Sequence, residues 1–183
     1  TLVVNSTNGS AGASDYTAVS GGSVSFPANS SASQTVNVTL NNDALDEDDE
    51  TFTLTLSGLT ATGNVTLGTA MATGTILDDD ATPTLSITSP SQLEGDVGTS
   101  TMNFVVSLSA VSGRNVSFTR ATANGTATVA DNDYVAIPSG SLSIPAGQSS
   151  VTIPVTINGN TVFEGDETFS VNLTGITNAT PGT

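Results

Sequence analysis

Glu47-Asp48-Asp49-Glu50-Thr51-Phe52-Thr53-Leu54-Thr55-Leu56 decides the fold of this chain. Its first four residues are all acidic, and from Thr51 onward polar and apolar side chains alternate with period two. That period places one face of a strand in a core and the other in water. The same phrase returns as Glu164-Gly165-Asp166-Glu167-Thr168-Phe169. A strand that follows an acidic loop, written twice, is the unit from which the rest is read.

Outward from these phrases the two halves keep matching. Asn8-Gly9-Ser10-Ala11 answers Asn124-Gly125-Thr126-Ala127, and Asp15-Tyr16 answers Asp133-Tyr134. Ser25-Phe26-Pro27-Ala28 answers Ser143-Ile144-Pro145-Ala146. The offsets run from 116 (Asn8 to Asn124) to 118 (Asp15 to Asp133), so the chain holds two homologous modules of one domain length each. Further alternating runs, Val24-Ser25-Phe26 and Thr35-Val36-Asn37-Val38-Thr39-Leu40, are predicted strands. Asn8-Gly9, Gly21-Gly22 and Asn124-Gly125 are read as the turns between them. Many short alternating strands with turn punctuation make an all-β sandwich or barrel.

The expected division is a first module over 1–80, a linker Ala81-Thr82-Pro83 and a second module over 84–183. The second opens with Thr84-Leu85-Ser86-Ile87 and Thr101-Met102-Asn103-Phe104-Val105-Val106-Ser107-Leu108, which the first does not match. The first closes with Ala70 to Asp80, which the second does not match. The first module is therefore expected to lack its first strands and the second its last strand. The short proline-containing linker implies closely spaced modules.

Composition narrows the function. The chain has no Cys, no His and no Lys, and its two basic residues are Arg114 and Arg120. Disulfides, thiolate metal sites, a histidine base and a Schiff-base lysine are all excluded. Seventeen acidic residues leave a net charge of −15, which repels nucleic acid and anionic membranes and attracts cations. Hydrophobic content of 36%, much of it periodic and β-branched, argues for a folded chain rather than a disordered acidic one. No run approaches the roughly 20 apolar residues of a membrane span, so no direct membrane insertion is expected. Thr1 to Asn5 lack the pattern of a signal peptide, and the chain reads as an excised or processed piece of something larger.

The acid is concentrated. Asp43, Asp46, Glu47, Asp48, Asp49 and Glu50 form one group and Asp78-Asp79-Asp80 another, with Asp15 apart from both. Such groups repel unless neutralised. Calcium takes six to eight hard oxygen ligands and suits them better than magnesium, which insists on octahedral geometry. A solvated acidic loop is the alternative; the matching positions in the two modules favour metal. Glu50 and Glu167 read equally as ligands or as residues leading into a strand. Most of the aromatic residues read as core, and Tyr16 and Tyr134 also as ties that hold a loop through the phenol oxygen.

Taken in order, Asp15-Tyr16, Gly22-Ser23-Val24-Ser25-Phe26-Pro27, Glu47-Asp48-Asp49-Glu50-Thr51-Phe52 and Thr75-Ile76-Leu77-Asp78-Asp79-Asp80 resemble the Calx-β motif. That motif occurs in sodium–calcium exchanger regulatory domains, integrin β4 and large bacterial surface proteins. Glu94-Gly95-Asp96, Asp133-Tyr134 and Glu164-Gly165-Asp166-Glu167-Thr168-Phe169 repeat it in the second module. The resemblance covers nearly the whole chain. It implies seven-stranded, immunoglobulin-like antiparallel β-sandwiches in tandem, with calcium at one tip. The implied ligands are Asp15, Asp43, Glu47, Asp78, Asp79 and Asp80 in the first module, and Glu94, Asp133 and Glu164 in the second. Asn160 stands where the first module has Asp43, and the second has no terminal aspartates to match Asp78 to Asp80.

The function expected is not enzymatic. It is a calcium-binding structural or adhesive repeat of a larger secreted or cell-surface bacterial protein, with calcium stiffening the joint between modules. Its expected partners are calcium ions, neighbouring repeats of the same chain, and another protein or a cell surface; its expected place is extracellular. One alternative is a calcium-sensing regulatory module of a membrane protein. Another is a carbohydrate-binding sandwich, which the absence of tryptophan and the crowding of acid disfavour.

Overall fold

Threonine and β-branched or leucine side chains alternating over short runs form strands because each run can bury one face. The computed structural model describes residues 1–182; Thr183, the last residue of the expected second module, lies outside them. Among the described residues there are eleven strands and no helix, so the all-β expectation holds. Contacts divide the chain into two units, Thr1–Ala44 with Asp48–Asp79, and Leu45–Glu47 with Asp80–Thr183.

The first unit is one antiparallel sheet. It contains β1 (Leu2–Asn8), β2 (Gly22–Val24), β3 (Glu50–Ser57) and β4 (Met71–Ile76), in the order β2-β1-β3-β4. Leu2 and Val4 on β1 and Phe52 on β3 are buried, with Ala11 and Tyr16 from the segment after β1. Two expected strands fall short. β2 stops at Val24 and leaves Phe26 50% exposed, whereas its counterpart Ile144 is fully buried. Thr35 to Leu40 alternates as a strand should, yet only Leu40 pairs, through an isolated bridge to Tyr16.

The second unit is a two-sheet sandwich. Its seven strands are β5 (Thr84–Ile87), β6 (Thr99–Leu108), β7 (Val116–Asn124), β8 (Gly140–Ile144), β9 (Ser150–Asn158), β10 (Phe169–Thr177) and β11 (Thr180–Pro181). One sheet runs β10-β7-β8 and the other β11-β5-β6-β9. All neighbours are antiparallel except β11, which lies parallel to β5. Phe104, Val106 and Leu108 of β6 and Ile153, Val155 and Ile157 of β9 face Val116, Phe118 and Ile144 of the other sheet in one core. This is the architecture expected of an immunoglobulin-like sandwich. Asp46 is buried, its carboxylate accepting hydrogen bonds from the hydroxyls of Ser112 (3.0 Å) and Thr82 (3.3 Å), which makes it a structural carboxylate.

Candidate metal sites

Each repeat builds the same scaffold under its acidic residues. Asn8 ends β1 and Asn124 ends β7. The Asn8 Oδ1 accepts the Tyr16 hydroxyl at 2.7 Å, and the Asn124 Oδ1 accepts the Tyr134 hydroxyl at 2.7 Å. Both tyrosines thus tie a loop through the phenol oxygen, as expected. Tyr16 then stacks on Phe52 (centroids 4.5 Å apart) and Tyr134 on Phe169 (4.4 Å).

The Asn-Gly pairs are not tight turns. Gly9 and Gly125 are absent from the residues with positive φ. What they allow is close approach: a Cβ would stand 2.5 Å from the Thr51 carbonyl oxygen at Gly9 and 2.3 Å from that of Thr168 at Gly125. Those same carbonyls accept the N–H of Ala11 (3.0 Å) and of Ala127 (2.9 Å). In return the N–H of Thr51 donates to Ser10 Oγ (2.9 Å) and that of Thr168 to Thr126 Oγ1 (2.8 Å). The loop that carries Asp15 or Asp133 is thereby stitched to the residue after Glu50 or Glu167. An aspartate one residue before the stacked tyrosine and a glutamate two before the stacked phenylalanine are held at fixed positions.

Carboxylates converge there. Asp133, Glu164 and Glu167 each offer an oxygen within 4.8 Å of the others, and in the first unit Asp15 and Glu50 do so as a pair. In the second group Asp133 is 6% exposed, while the two glutamates are exposed. Asp133 Oδ2 accepts the Thr128 N–H at 2.6 Å. Its Oδ1 is buried and has no hydrogen-bond partner among the described residues. A buried charged oxygen left without a donor is costly, and a cation satisfies it. The donors are all carboxylate oxygens, which suits a hard ion such as calcium. The residues present therefore fit calcium.

Protonation follows the geometry. The Gly12 N–H holds the Asp15 carboxyl below its ordinary range; burial opposes this, and hydrogen bonds with Ser14 and Glu50 add to it. Glu167 is pushed up, first by lost hydration and then by the charges of Asp133 and Glu164.

Of the ligands expected from the sequence, the structure gathers Asp133 with Glu164 in the second unit, and in the first it sets Asp15 beside Glu50; Glu47 falls with the second unit. Asp43, Asp78, Asp79, Asp80 and Glu94 belong to neither group. Asp43 and Asp79 are exposed, and the Asp78 N–H donates to Asp49 Oδ1 at 3.1 Å. The added members are Glu50 and Glu167, which the sequence left open. The signal that finds them is period two: Glu50 lies on the face of β3 that carries Phe52, and Glu167 stands in the same relation to Phe169.

Comparison with known proteins places these repeats. The model of the Calx-beta domain matches twice, over residues 1–80 and 81–181. No curated protein sequence matches the chain. Among solved structures, the crystal structure of CBD12 from CALX1.2 is 25% identical over 96% of this chain and 67% of its own, with a TM-score of 0.41. The crystal structure of calcium binding domain CBD12 of CALX1.1 is 24% identical over 96% of this chain and 66% of its own, with a TM-score of 0.39.

Proposed function

The chain belongs to the Calx-beta domain family, and from that premise we propose that it is a calcium-binding structural repeat with one calcium site in each module. One observation carries the reading: the aspartate before tyrosine and the glutamate before Thr-Phe draw within 4.8 Å in both repeats, joined in the second by Glu164. A merely solvated acidic loop gives no reason for like charges to converge twice on equivalent positions. Calcium would supply charge neutralisation and cross-linking. Asp133 and Asp15 would hold it from the loop ahead of the tyrosine, and Glu164, Glu167, Glu47 and Glu50 from the acidic loop. Because the ligands are gathered only in the folded chain, binding stabilises the fold.

The wider role is a repeat of a larger secreted or cell-surface bacterial protein, supported by the Thr-, Ser- and Gly-rich, lysine-free and cysteine-free composition. Within it, the stiffening of the joint by calcium rests on sequence adjacency alone, Asp78-Asp79-Asp80 immediately preceding Ala81-Thr82-Pro83, since none of the three belongs to either carboxylate group. We read the chain as a binding module rather than an enzyme, since its acid is crowded as for a metal and the chain has no tryptophan platform for a sugar. Calorimetric titration of the chelator-stripped chain with calcium tests the sites. Two binding events are expected, one lost in Asp15→Asn and the other in Asp133→Asn. Absence of heat at millimolar calcium rejects the reading. Small-angle scattering with and without calcium tests the stiffening; an unchanged distribution of dimensions rejects it.

A further inference from the structure

Three residues of the first repeat's acidic loop are part of the second unit. Leu45, Asp46 and Glu47 group with Asp80–Thr183 and not with the residues on either side of them. Asp46 is only 3% exposed. A carboxylate at that depth is costly unless its oxygens are satisfied.

The seat that satisfies them is the turn between β6 and β7. Asp46 lies beside Ser112 in a parallel bridge. Its carbonyl accepts the Gly113 N–H at 3.0 Å. The hydroxyl of the buried Ser112 stands 3.0 Å from Asp46 Oδ2 and 3.2 Å from the Asp46 carbonyl oxygen, and the Thr82 hydroxyl donates to Oδ1 at 3.3 Å. The Arg114 N–H donates to Ser112 Oγ at 3.0 Å, and Arg114 Nη2 donates to the Glu47 carbonyl at 2.7 Å. The turn is held from behind, where the Gly147 N–H donates to the Ser112 carbonyl at 2.9 Å. Gly113 has no room for a side chain, since a Cβ there would stand 2.6 Å from Glu47 Cγ.

The two repeats differ at this loop position. Phe163 precedes Glu164 as Asp46 precedes Glu47. A phenylalanine has no acceptor, and in this seat it would leave the Ser112 and Thr82 hydroxyls without their carboxylate. We propose that the Ser112-Gly113-Arg114 turn, with Thr82, is a recognition site for an acidic loop that carries aspartate at this position, and that Asp46 decides which loop it seats. Hydroxyl and amide donors make the contact, so the seating does not depend on calcium.

Hydrogen exchange on the full chain in chelator tests it, read at the Gly113 amide, whose acceptor belongs to Asp46. Asp46→Phe gives the first loop the residue of the second. It is expected to speed that exchange about tenfold or more, while the Val106 and Val155 amides inside the sandwich keep their rates. Asp46→Ala and Ser112→Ala are each expected to speed it too. Combined, they should fall well short of the product of the two single effects, because both act on one contact. Unchanged exchange at Gly113 in Asp46→Phe overturns the proposal. So do multiplicative effects of the two alanines, or protection at Gly113 in the parent chain that appears only with calcium. If Asp46→Phe unfolds the unit, seen as lost protection at Val106 and Val155, the alanine pair decides.

Discussion

Two carboxylate groups sit on the same scaffold in this molecule, yet they differ in depth and in protonation. Asp15 is half-buried and its ionised form is favoured by the Gly12 N–H. Asp133 is buried and holds one oxygen with no hydrogen-bond partner among the described residues, while its neighbour Glu167 is pushed towards the protonated form. The tyrosine–phenylalanine stack is common to both, so it is not the cause. What differs is the strand that precedes the acidic loop: β9 is paired along its length with β6, whereas Thr35 to Leu40 has only its bridge to Tyr16. Asp133, buried with one oxygen that lacks a donor, therefore has more to gain from a cation.

The largest effect expected of a test is on the shared scaffold. Phe169→Ala should cost the second unit about 3 kcal/mol, the low end of the Phe→Ala range, because the half-buried ring packs on both Tyr134 and Phe104. Phe52→Ala should cost the first unit less, since its core cluster of Ala11, Tyr16 and Phe52 has fewer buried partners to lose. Urea melts that follow each unit separately would check this; equal losses would break the comparison. Next in size is calcium itself. At a hundredfold excess over the dissociation constant each site should add about 2.7 kcal/mol. Asp133→Asn should abolish that gain for the second unit while raising its stability without calcium, because one of three crowded carboxylates loses its charge. Asp15→Asn should abolish the gain for the first unit and lower its calcium-free stability, because its charge is already well served. Thermal melts with calcium and with chelator read both signs, and the same sign in both variants would refute the difference in depth.

How much of this was legible in the sequence depends on whether the cause is local. The alternation of Thr51 to Leu56, the doubling of the motifs and the pairing of Asp15 with Tyr16 are local, and they led to the sheets and to Asp15, Glu47, Asp133 and Glu164. Thr35 to Leu40 alternates as well as β9 does, but a strand needs a neighbour, and alternation says nothing about one. Phe26 misled for the same reason: it occupies the position of the fully buried Ile144 but is half exposed. Most of the aromatic residues read as core, and Phe163 is an exception, fully exposed in the acidic loop. Glu50 and Glu167 stayed ambiguous because a glutamate at the start of a strand serves either role until the loop stitched to it by Gly9 or Gly125 is seen.

Those glycines provide a smaller test. Gly125→Ala and Gly9→Ala should each cost about 1–3 kcal/mol, the range for inserting a methyl group where there is no room, because the opposing atom is a backbone carbonyl in both. Each should also weaken calcium at its own site by moving the aspartate loop. Gly165→Ala faces open space and should stay within about 0.5 kcal/mol of the parent. Calcium titrations of the three variants separate loop displacement from general instability. If Gly165→Ala weakens binding as much as Gly125→Ala, the stitching has been misread.

The smallest effect is in pH, and it separates the two sites most cleanly. Glu167 has a folded pKa above its ordinary value of 4.5, so between that value and its raised one the folded unit holds a proton that the unfolded chain has released. Stability without calcium therefore rises as pH falls through that window. Calcium must displace the proton, so its affinity at the second site should fall over the same window, and binding there should release protons. Asp15 behaves oppositely. Its folded pKa lies below 3.8, so its contribution to stability is present above that value and is lost as pH falls through the folded one. Asp15 thus keeps its charge to lower pH, and the first site should retain calcium under conditions in which the second has begun to lose it. The experiment is calcium calorimetry from pH 7 down to 4 on Asp15→Asn, which leaves the second site, and on Asp133→Asn, which leaves the first. The midpoint of loss should stand at higher pH in Asp15→Asn. Coincident midpoints, or the reverse order, would mean that the buried aspartate and its crowded glutamate do not govern affinity, and that the two sites are equivalent despite their different depths.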